Sequence, residues 1–363
     1  MTTHLRFDVQ LNPQARSAAE REQVLASPGF GQVFTDHMIS IDWTEGEGWH
    51  DAKLQPYGPL VLDPATSVFH YAQELFEGLK AYRQSNGSIV AFRPYANAAR
   101  FNQSALRMAM PEIPEETFVE SLELLVQTDR DWVPTTEGHS LYLRPFMIAT
   151  QPALGVNHPS HSYKYMVIAS PAASYFTGGL KPVSVWLSTE YTRAAPGGTG
   201  FAKCGGNYAA AFVAQRQAVE EGCDQVVWLD AFEHRWVEEM GGMNLFFVFG
   251  DRLVTPALTG TLLPGITRDS ILSLAGELGY TVEEGKISIE EWQAGCESGE
   301  LTEVFACGTA AVVTPVGSVK GVDRSWTVGA GTPGPVTMRI REELVGIQYG
   351  GRPDAHHWIH KIC

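Results

Sequence analysis

Short apolar runs alternate with amphipathic stretches along most of the chain. Four strand-like runs lie in the first half, HMISIDW, SIVAFR, SLYLRPFMIAT and KYMVIAS. Helical patterns lie between them: ANAARFNQSALRMAM has apolar residues near helical spacing, and PEIPEETFVESLELLVQTDRDW repeats Phe118, Leu122 and Leu125 on one face. The first half therefore predicts a mixture of sheet and helix, preceded by a polar arm at residues 1–31.

The second half shows the same alternation. NYAAAFVAQRQAVEEGC predicts a helix that ends at Gly222, and DQVVWLD and RWVEEM predict two strands joined by a tight turn. NLFFVFGDRLVTP predicts a hairpin with Gly250-Asp251 at its turn, and TEVFACGTAAVVTPVGSV predicts a strand, a turn and a strand. ITRDSILSLAGELGY and TPGPVTMRIREELVGIQYG predict two further helices, the second followed by a polar tail.

Turn-forming residues are concentrated between positions 172 and 199, around the strand-like run VSVWLS. They are Ser174, Gly178, Gly179, Pro182, Pro196, Gly197 and Gly198. Because these residue types favour turns and loops, we predict a connection between two domains at residues 175–190. The fold class is then α/β (mixed α+β), with a small domain at 1–174 and a large domain at 191–363 that contains Lys203.

The composition excludes several classes of function. With 363 residues, 44% of them hydrophobic and 18% charged, the chain can bury a large core and has no signature of disorder. Its net charge of −15, from 26 basic and 41 acidic residues, argues against nucleic-acid binding and against a membrane-surface role. A local group of arginines could still bind a small anionic substrate.

Targeting and cysteine signals indicate a cytoplasmic protein. The first residues, MTTHLRFDVQLNPQ, contain no apolar secretory segment, and no run of apolar residues is long enough for a transmembrane helix. The five cysteines are widely spaced and form no C-x-x-C pair. We therefore predict neither a disulfide framework nor a bound metal. We predict that the protein resides in a reducing compartment.

Lys203 lies in the small-residue stretch GTGFAKCGGNYAAAF. A phosphate-binding loop would need a hydroxyl residue after the lysine, where this chain has Cys204, so that interpretation is rejected. A solvated loop lysine and a reactive amine remain. Apolar neighbours favour a partly buried amine, which attacks carbonyl groups and forms Schiff bases, and pyridoxal phosphate is the cofactor that uses such a lysine.

A pyridoxal-phosphate site also needs an acid for the ring nitrogen. Glu238 and Glu239 are adjacent in a predicted strand, so their side chains face opposite sides and one of them could point into a site. The alternative is an ordinary glutamate at a strand end. Gly241-Gly242 follows directly and would permit the close approach of a flat ligand.

The phosphate could be held by two further segments. The amides of Ile266 and Thr267 would point out of a helix N-terminus that follows a Pro-Gly loop, although Thr267 could equally be a simple helix cap. Gly308-Thr309 forms a predicted turn with a hydroxyl and amides, although a plain hairpin turn would look the same. The candidate arginines are Arg93, Arg100 and Arg107, in FRPYANAARFNQSALRM.

Taken together, these stretches resemble the branched-chain amino acid aminotransferases, which are fold type IV pyridoxal-phosphate enzymes. The resemblance is collinear over about residues 27 to 350. Its motifs are GFGQVFTDHM, FHYAQELFEGLKAYR, FRPYANAARFNQSALRMAMP, LYLRPFMIATQPALGV, GTGFAKCGGNYAA, EEMGGMNLFF, LLPGITRDS and GTAAVVTPVG. Each motif is weak alone, and the set is specific.

The resemblance implies roles around pyridoxal 5'-phosphate. Lys203 would form the Schiff base with the cofactor and then shuttle the substrate proton. Tyr208 would bond the phenolic oxygen, and Glu239 rather than Glu238 would hold the pyridine nitrogen. The remaining cofactor residues would be Arg100, Ile266, Thr267 and Thr309 at the phosphate, with Arg193 near the cofactor.

It also implies how the substrate is held. The pocket must accept aliphatic side chains and the γ-carboxylate of glutamate, although an unpaired charge in an apolar pocket is costly. The aromatic walls would be Phe30, Tyr71, Phe76, Tyr142 and Tyr175, and Arg144 would pair with the γ-carboxylate. The α-carboxylate would receive hydrogen bonds from amides of the turn Thr309, Ala310 and Ala311. A loop that contains Leu154 and Val156 would reach across a dimer interface. Core packing is the alternative for each aromatic residue.

This chain departs from relatives at two points. Some animal members carry a C-x-x-C redox pair after the Gly-Thr-Ala turn, where Ala311 and Thr314 stand here, so no such thiol switch is expected. Position 242 is Gly where some relatives have Thr, so one carboxylate contact is either lost or supplied by the backbone.

The implied activity is reversible ping-pong transfer of the α-amino group of leucine, isoleucine or valine to 2-oxoglutarate, in the biosynthesis and degradation of these amino acids. The enzyme would be a cytoplasmic homodimer with the active site near the interface, with no nucleic-acid or membrane partner. A D-amino acid aminotransferase or an aminodeoxychorismate lyase of the same fold is the alternative, though both are shorter. A non-catalytic binding protein is the alternative from another class.

Overall fold

The chain folds into two compact units. The computed structural model describes residues 5–173 and 180–363. The first unit comprises residues 1–175, 202–205 and 347–363, and the second comprises 176–201 and 206–346. Two segments of the predicted large domain belong to the first unit instead, residues 202–205 and 347–363. The Lys203 amide is hydrogen-bonded to Ser104 of the first unit, and residues 359–361 pair as a strand with residues 90–92.

Residues 5–173 alternate strands and helices as their patterns predict. Their elements are β1 (Asp8–Val9), α1 (Ala18–Ala26), β2 (His37–Thr44), β3 (Gly48–Pro56), α2 (Val68–Tyr71), β4 (Glu74–Phe76), β5 (Leu79–Arg83), β6 (Ile89–Phe92), α3 (Pro94–Arg107), α4 (Glu115–Thr128), a 3-10 turn (Arg130–Trp132), β7 (Ser140–Ala149) and β8 (Ser162–Ala172). Pro94 opens α3 at the first helical position, where its fixed φ suits a helix and its missing N–H costs nothing.

Residues 180–363 continue with more strands than helices. Their elements are β9 (Val183–Ser188), α5 (Gly205–Ala209), α6 (Phe212–Glu220), β10 (Gln225–Leu229), β11 (Val237–Met240), β12 (Met243–Phe249), β13 (Arg252–Pro256), α7 (Ile266–Glu277), β14 (Thr281–Gly285), α8 (Ile289–Ser298), β15 (Glu303–Gly308), β16 (Val312–Lys320), β17 (Ser325–Thr327), α9 (Pro335–Gln348) and β18 (Ile359–Lys361). A Ser288–Glu291 capping box starts α8, and Gly299 ends it with φ 80°.

The first unit is built on a nine-stranded sheet. Its order is β1-β3-β2-β8-β7-β5-β6-β18, with β4 paired to β7. Helix α3 packs on α4, and α4 contacts β2 and β8. The core contains the ring cluster of Phe101, Phe118 and Tyr165. This burial of large apolar side chains holds the helices on one face of the sheet.

The second unit contains a sheet that closes on itself. Its order is β11-β10-β9-β16-β15-β12-β13-β14, with β17 paired to β16, and β11 also pairs with β12. Six of its strands therefore form a closed ring, which leaves no free edge between them. The run NLFFV in β12 is buried on both faces of the sheet, and Phe247 packs edge-on against Trp292 of α8.

Three local predictions were wrong. The helix predicted through residues 207–222 is broken into α5 and α6 at Ala210 and Ala211. The tight turn predicted before β11 is a longer loop, because the Asp230 carboxylate accepts hydrogen bonds from the amides of Phe232, Glu233, Arg235 and Trp236. The polar tail contributes β18, which pairs with β6.

Other predictions are confirmed. Phe249 and Arg252 close the predicted hairpin of β12 and β13, with Gly250 at φ 61°. The strand-turn-strand segment is β15 and β16, joined through residues 309–311. Within residues 5–173 and 180–363, none of the helices combines the length and hydrophobicity that a membrane crossing requires.

Candidate active site

Lys203 is half-buried, and its backbone is held on both sides. Its amide donates to Ser104 Oγ (3.0 Å), and its carbonyl accepts from the Phe76 amide (2.9 Å). Ala202 and Cys204 beside it are buried, and Nζ lies 5.0 Å from the centre of the Phe76 ring. The partly buried amine predicted from its small and apolar neighbours is therefore present, on a fixed segment of backbone.

A buried ion pair lies near this lysine. Glu77 is fully buried and accepts from Arg100 Nε (2.7 Å) and Nη2 (2.9 Å), from Asn97 Nδ2 (2.7 Å) and from the Gly78 amide (3.1 Å). Burial disfavours the charged form, but Arg100, with a further contribution from Lys203, outweighs it, so the pKa of Glu77 lies below its ordinary value.

Glu77 was missed by sequence reasoning, although it orients one of the predicted residues. Its carboxylate binds the Nε edge of Arg100 and fixes the plane of the guanidinium. A lone acid inside the apolar run LFEGLKAY was the available signal, because an acid in such a run is buried with a partner.

Predicted substrate residues of the first unit lie together around Arg144. Its guanidinium lies over the rings of Phe76 (4.6 Å) and Tyr142 (5.3 Å), and Nη2 donates to the Tyr142 hydroxyl (3.0 Å). The Phe30 ring meets the Tyr142 ring edge-on at 5.0 Å. Gly78 is required here, since a Cβ would overlap the Tyr142 hydroxyl. Arg144 Nε is buried and finds no acceptor among the described residues.

A second group of predicted substrate residues surrounds a loop. The Tyr71 hydroxyl donates to the Leu154 carbonyl (2.6 Å), and Tyr71 and Val156 line one cavity of about 420 Å³. Leu154 and Val156 are 60% and 70% exposed, which makes them available for an apolar contact. Tyr175, also predicted as a wall residue, lies outside the described residues.

Glu74 is a second acid that sequence reasoning missed. It is half-buried and accepts a hydrogen bond from the Gly205 amide, two residues after Lys203. Burial raises the pKa of Glu74, while the Gly205 amide and Arg144 act in the opposite direction. Glu74 therefore ties the lysine segment to β4.

Four predicted residues of the second unit line one cavity of about 360 Å³. They are Arg193, Tyr208, Glu239 and Gly242. The cavity wall also contains Gly241, which has φ 57°. Tyr208 would lie only 3.5 Å from a Cβ placed on Gly242, so the glycine pair and the tyrosine border the same space. This cavity is the candidate binding site of the second unit.

Glu239 is a buried carboxylate whose orientation is tightly controlled. It is 2% exposed; Oε2 accepts from Arg193 Nε (2.9 Å), and Oε1 accepts from the Leu263 amide (2.6 Å). Arg193 also donates to the Gly200 carbonyl from Nη1 (3.1 Å) and Nη2 (2.9 Å). Arg193 is thus held against Glu239 and the Gly200 carbonyl.

Glu238 faces a different space from its neighbour, as alternation along a strand requires. It lines a cavity of about 180 Å³ together with Asp230, Trp236 and Lys286. Burial raises the pKa of Glu238 to about 6. The hydrogen bond from Thr261, the next largest effect, acts in the opposite direction. The two adjacent carboxylates therefore line different cavities.

The predicted anion site at Ile266 and Thr267 is the first turn of α7. Gly265 is the N-cap residue and no side chain caps the helix, so Thr267 is not a simple cap. A Cβ at Gly265 would overlap the amide oxygen of Asn244, which explains the glycine. Amide groups in such a first turn favour an anion, because they point out of the helix at the positive end of its dipole.

The turn formed by Thr309, Ala310 and Ala311 joins β15 to β16 as predicted. Val312 ends it with φ 62°, an unusual conformation for a β-branched residue; strained backbone of this kind clusters at functional sites. Cys307 before the turn is buried, and burial raises the pKa of its thiol far above the ordinary value. A thiol held in its neutral form suits packing rather than redox chemistry.

Comparison with known proteins identifies the family of this chain. The family described as "Amino-transferase class IV" matches residues 74–319. The branched-chain-amino-acid aminotransferase of Mycolicibacterium smegmatis is 61% identical over 99% of this chain and 98% of that protein.

Solved structures give the same result. The branched-chain amino acid aminotransferase of Escherichia coli is 30% identical with a TM-score of 0.74, over 89% of this chain and 99% of that one. A second branched-chain amino acid aminotransferase, from T.th. and solved with pyridoxamine 5'-phosphate, is 30% identical with a TM-score of 0.73, over 89% and 98%. The chain therefore belongs to the class IV aminotransferases and, within them, to the branched-chain-amino-acid aminotransferase family.

Proposed function

We propose that this protein catalyses the reversible transfer of the α-amino group of leucine, isoleucine and valine to 2-oxoglutarate, with pyridoxal 5'-phosphate as its cofactor. The observation that carries the proposal is the buried Glu239–Arg193 pair in a cavity that Tyr208 and Gly242 also line. A buried, fixed carboxylate can accept the hydrogen bond of a protonated pyridine nitrogen, and a tyrosine hydroxyl can donate one to a phenolic oxygen. Relatives that carry the family name support the same activity.

The described residues fit such a cofactor. Lys203 offers a half-buried amine, Glu239 a buried carboxylate for the ring nitrogen, and Tyr208 a hydroxyl for the phenolic oxygen. The phosphate would be held by Arg100, the amides of Ile266 and Thr267, and Thr309. When bound, pyridoxal phosphate supplies an electron sink for the charge that develops at the substrate α-carbon.

The protein side chains carry out the remaining work. Lys203 Nζ accepts and returns the substrate α-proton, and the fixed backbone at Ser104 and Phe76 keeps that amine in place. Glu239 holds a proton on the ring nitrogen, because Arg193 and the Leu263 amide fix its orientation. The amides of residues 309–311, with backbone groups at Gly242, hold the α-carboxylate.

Arg144 and its aromatic neighbours determine which side chains are accepted. Phe30, Phe76 and Tyr142 form an apolar wall beside the guanidinium. The aliphatic substrates would pack on the rings, whereas the γ-carboxylate of glutamate would pair with Arg144. Both kinds of substrate are then accepted without an unpaired buried charge.

The assembly and location of the enzyme are part of the proposal. The exposed Leu154 and Val156 support a homodimer in which this loop contacts the partner near its active site. The five described cysteines are all unpaired, which supports a cytoplasmic location. We also propose that the connection between the two domains, predicted at residues 175–190, lies before β9, because β9 is a strand of the second unit's sheet; residues 347–363 belong to the first unit.

The function is tested by presenting single amino acids to the holoenzyme without an acceptor. We expect L-leucine, L-isoleucine and L-valine each to release about one equivalent of 2-oxo acid per subunit, because a ping-pong enzyme completes one half-reaction alone. Quantification of the 2-oxo acid by chromatography checks this. D-alanine is the control; release from D-alanine and not from L-leucine would favour a D-amino acid aminotransferase, and a purified protein that binds no pyridoxal phosphate would favour a non-catalytic role.

Replacing Arg144 with methionine is expected to raise the KM for 2-oxoglutarate about 10- to 100-fold, the effect of losing one charge-assisted contact. The KM for L-leucine should change less than about threefold, since methionine retains an apolar surface against Phe76 and Tyr142. Steady-state kinetics with each substrate varied in turn measures the two constants. Equal increases in both would contradict the assignment, and Arg83→Met, far along β5 from the wall residues, is the matched control.

A further inference from the structure

The proposed mechanism leaves Glu238 without a role. This carboxylate is 7% exposed, and burying a charge is costly unless it is compensated. Its cavity of about 180 Å³ is distinct from the cavity of about 360 Å³ that Glu239 lines. The contacts of Glu238 therefore decide what it does.

The two adjacent carboxylates hold one loop from its two sides. The Thr261 hydroxyl donates to Glu238 Oε1, and two residues later the Leu263 amide donates to Glu239 Oε1 (2.6 Å). Thr261 also hydrogen-bonds Thr259 through their hydroxyls (2.9 Å). A shift of Thr261 would carry the Leu263 amide with it, because a two-residue separation leaves little slack in the backbone.

The same threonine contacts the other donor to Glu239. Its carbonyl accepts from Arg193 Nη1 at 3.4 Å. Gly200, whose carbonyl binds both terminal nitrogens of Arg193, packs so closely on Thr261 that a Cβ at position 200 would overlap the Thr261 carbonyl. Two of the groups that orient Glu239 therefore depend on where Thr261 lies; Asn244 Nδ2 is a third donor to Glu239 Oε1, at 3.5 Å.

We propose that Glu238 is a positioning residue, which acts through Thr261 to hold the Leu263 amide and the Arg193 guanidinium against Glu239. The proposal rests on the proposed function, because it takes Glu239 as the partner of the cofactor ring. Glu238 and Thr261 touch neither substrate nor cofactor in this account. Their effect is on the orientation of the carboxylate that does.

The charges around Glu238 set the pH range of its effect. Burial raises its pKa to about 6, and Glu239 and Asp230 add to the rise while Thr261 and Arg193 oppose it. Asp230 keeps its charge, because backbone amides outweigh its burial and lower its pKa to about 2. Lys286 and Glu233 line the same cavity. An ionised Glu238 accepts the Thr261 hydrogen bond more strongly than a protonated one, so its contribution is present above pH about 6 and lost below.

The test compares Glu238→Gln, Thr261→Val and Thr261→Ser with the wild-type holoenzyme. Glu238→Gln loses one charge-assisted hydrogen bond, which should lower kcat about tenfold at pH about 8. Its KM for L-leucine should stay within about twofold of the wild-type value. The kcat ratio of wild type to Glu238→Gln should approach one near pH 5, where the wild-type carboxyl is also neutral. Thr261→Val should lose a similar factor, and Thr261→Ser should restore it.

Affinity for the cofactor gives a second measurement that does not depend on turnover. Titration of each apoprotein with pyridoxal 5'-phosphate should show a several-fold higher Kd for Glu238→Gln and Thr261→Val, and an unchanged Kd for the control Glu233→Gln. Unchanged kcat and Kd in both variants would overturn the proposal. So would losses that Thr261→Ser does not restore. A wild type that binds the cofactor but transfers no amino group from leucine would refute the proposed function and leave the Kd comparison to decide this inference.

Discussion

Replacing Lys203 with alanine is expected to lower kcat for L-leucine at least about 10³-fold. The variant loses both the amine that binds the cofactor and the group that moves the substrate proton, and proton transfer alone contributes about 10²- to 10⁴-fold. Its fold should be unchanged, because the contacts at Ser104 and Phe76 involve the lysine backbone. Single-turnover release of 2-oxo acid measures the loss.

Covalent attachment provides an independent check on the same residue. After borohydride reduction of the wild-type holoenzyme, mass spectrometry should find the cofactor mass on the peptide that contains Lys203. Lys181→Ala is the matched control, since Lys181 is exposed, and it should keep wild-type kcat. Label on another peptide, or a Lys203→Ala variant with more than a tenth of wild-type kcat, would remove the lysine from its assigned role.

Glu77→Gln is expected to lower the free energy of unfolding by about 3–5 kcal/mol. The substitution keeps the shape of the side chain but leaves the buried Arg100 guanidinium without its countercharge, which is the costly way to disrupt a buried pair. Urea denaturation of wild type and variant at pH about 7.5 measures the difference. Glu283→Gln, which breaks the exposed pair with Arg252, should cost less than about 1 kcal/mol.

The pH dependence of this difference has a defined sign. The pKa of Glu77 is lowered from the ordinary 4.5, so its stabilisation is present above that value and is lost as the pH falls through the folded-state pKa. The gap between wild type and Glu77→Gln should therefore be constant near neutrality and narrow in acid. The double variant Glu77→Gln, Arg100→Gln should be less destabilised than the sum of its single variants, and strict additivity would show that the pair is not coupled.

Local signals in the sequence predicted the hairpins well. Gly250 supplies the positive φ that its turn needs, and the apolar run of β12 leaves little alternative to a buried strand. The first turn of α7 was likewise predictable from the Pro-Gly loop before it. These features depend on residues close together in the chain, which is why pattern and turn chemistry are sufficient.

Other features depend on distant contacts or on competition between similar local states. The break between α5 and α6 falls at alanines, which favour a helix and give no signal of an interruption. The loop at Asp230 is longer than a tight turn because a side chain supplies hydrogen-bond acceptors that a pattern of apolar residues does not reveal. β18 has three residues and exists because β6 offers it an edge.

For the candidate site, the sequence predicted the residue types better than their arrangement. Alternation along β11 showed that Glu238 and Glu239 diverge, and the family resemblance selected Glu239. Neither could show that Glu77 would bind Arg100, or that Arg193 would donate to Glu239, because those partners are far apart in sequence. The structure therefore added the contacts that orient Arg100 and Glu239, whereas the sequence had already predicted these two residues themselves.

The pairing of β18 with β6 has a consequence for how the protein is made. Gln127 also donates to the carbonyl of Ile362, 235 residues further along the chain. All of residues 206–346 are synthesised before this strand leaves the ribosome. The ring of strands in the second unit can therefore form during translation, whereas the sheet of the first unit must wait with an open edge at β6. Until β18 pairs, the backbone groups along the edge of β6 are open to pairing with another chain.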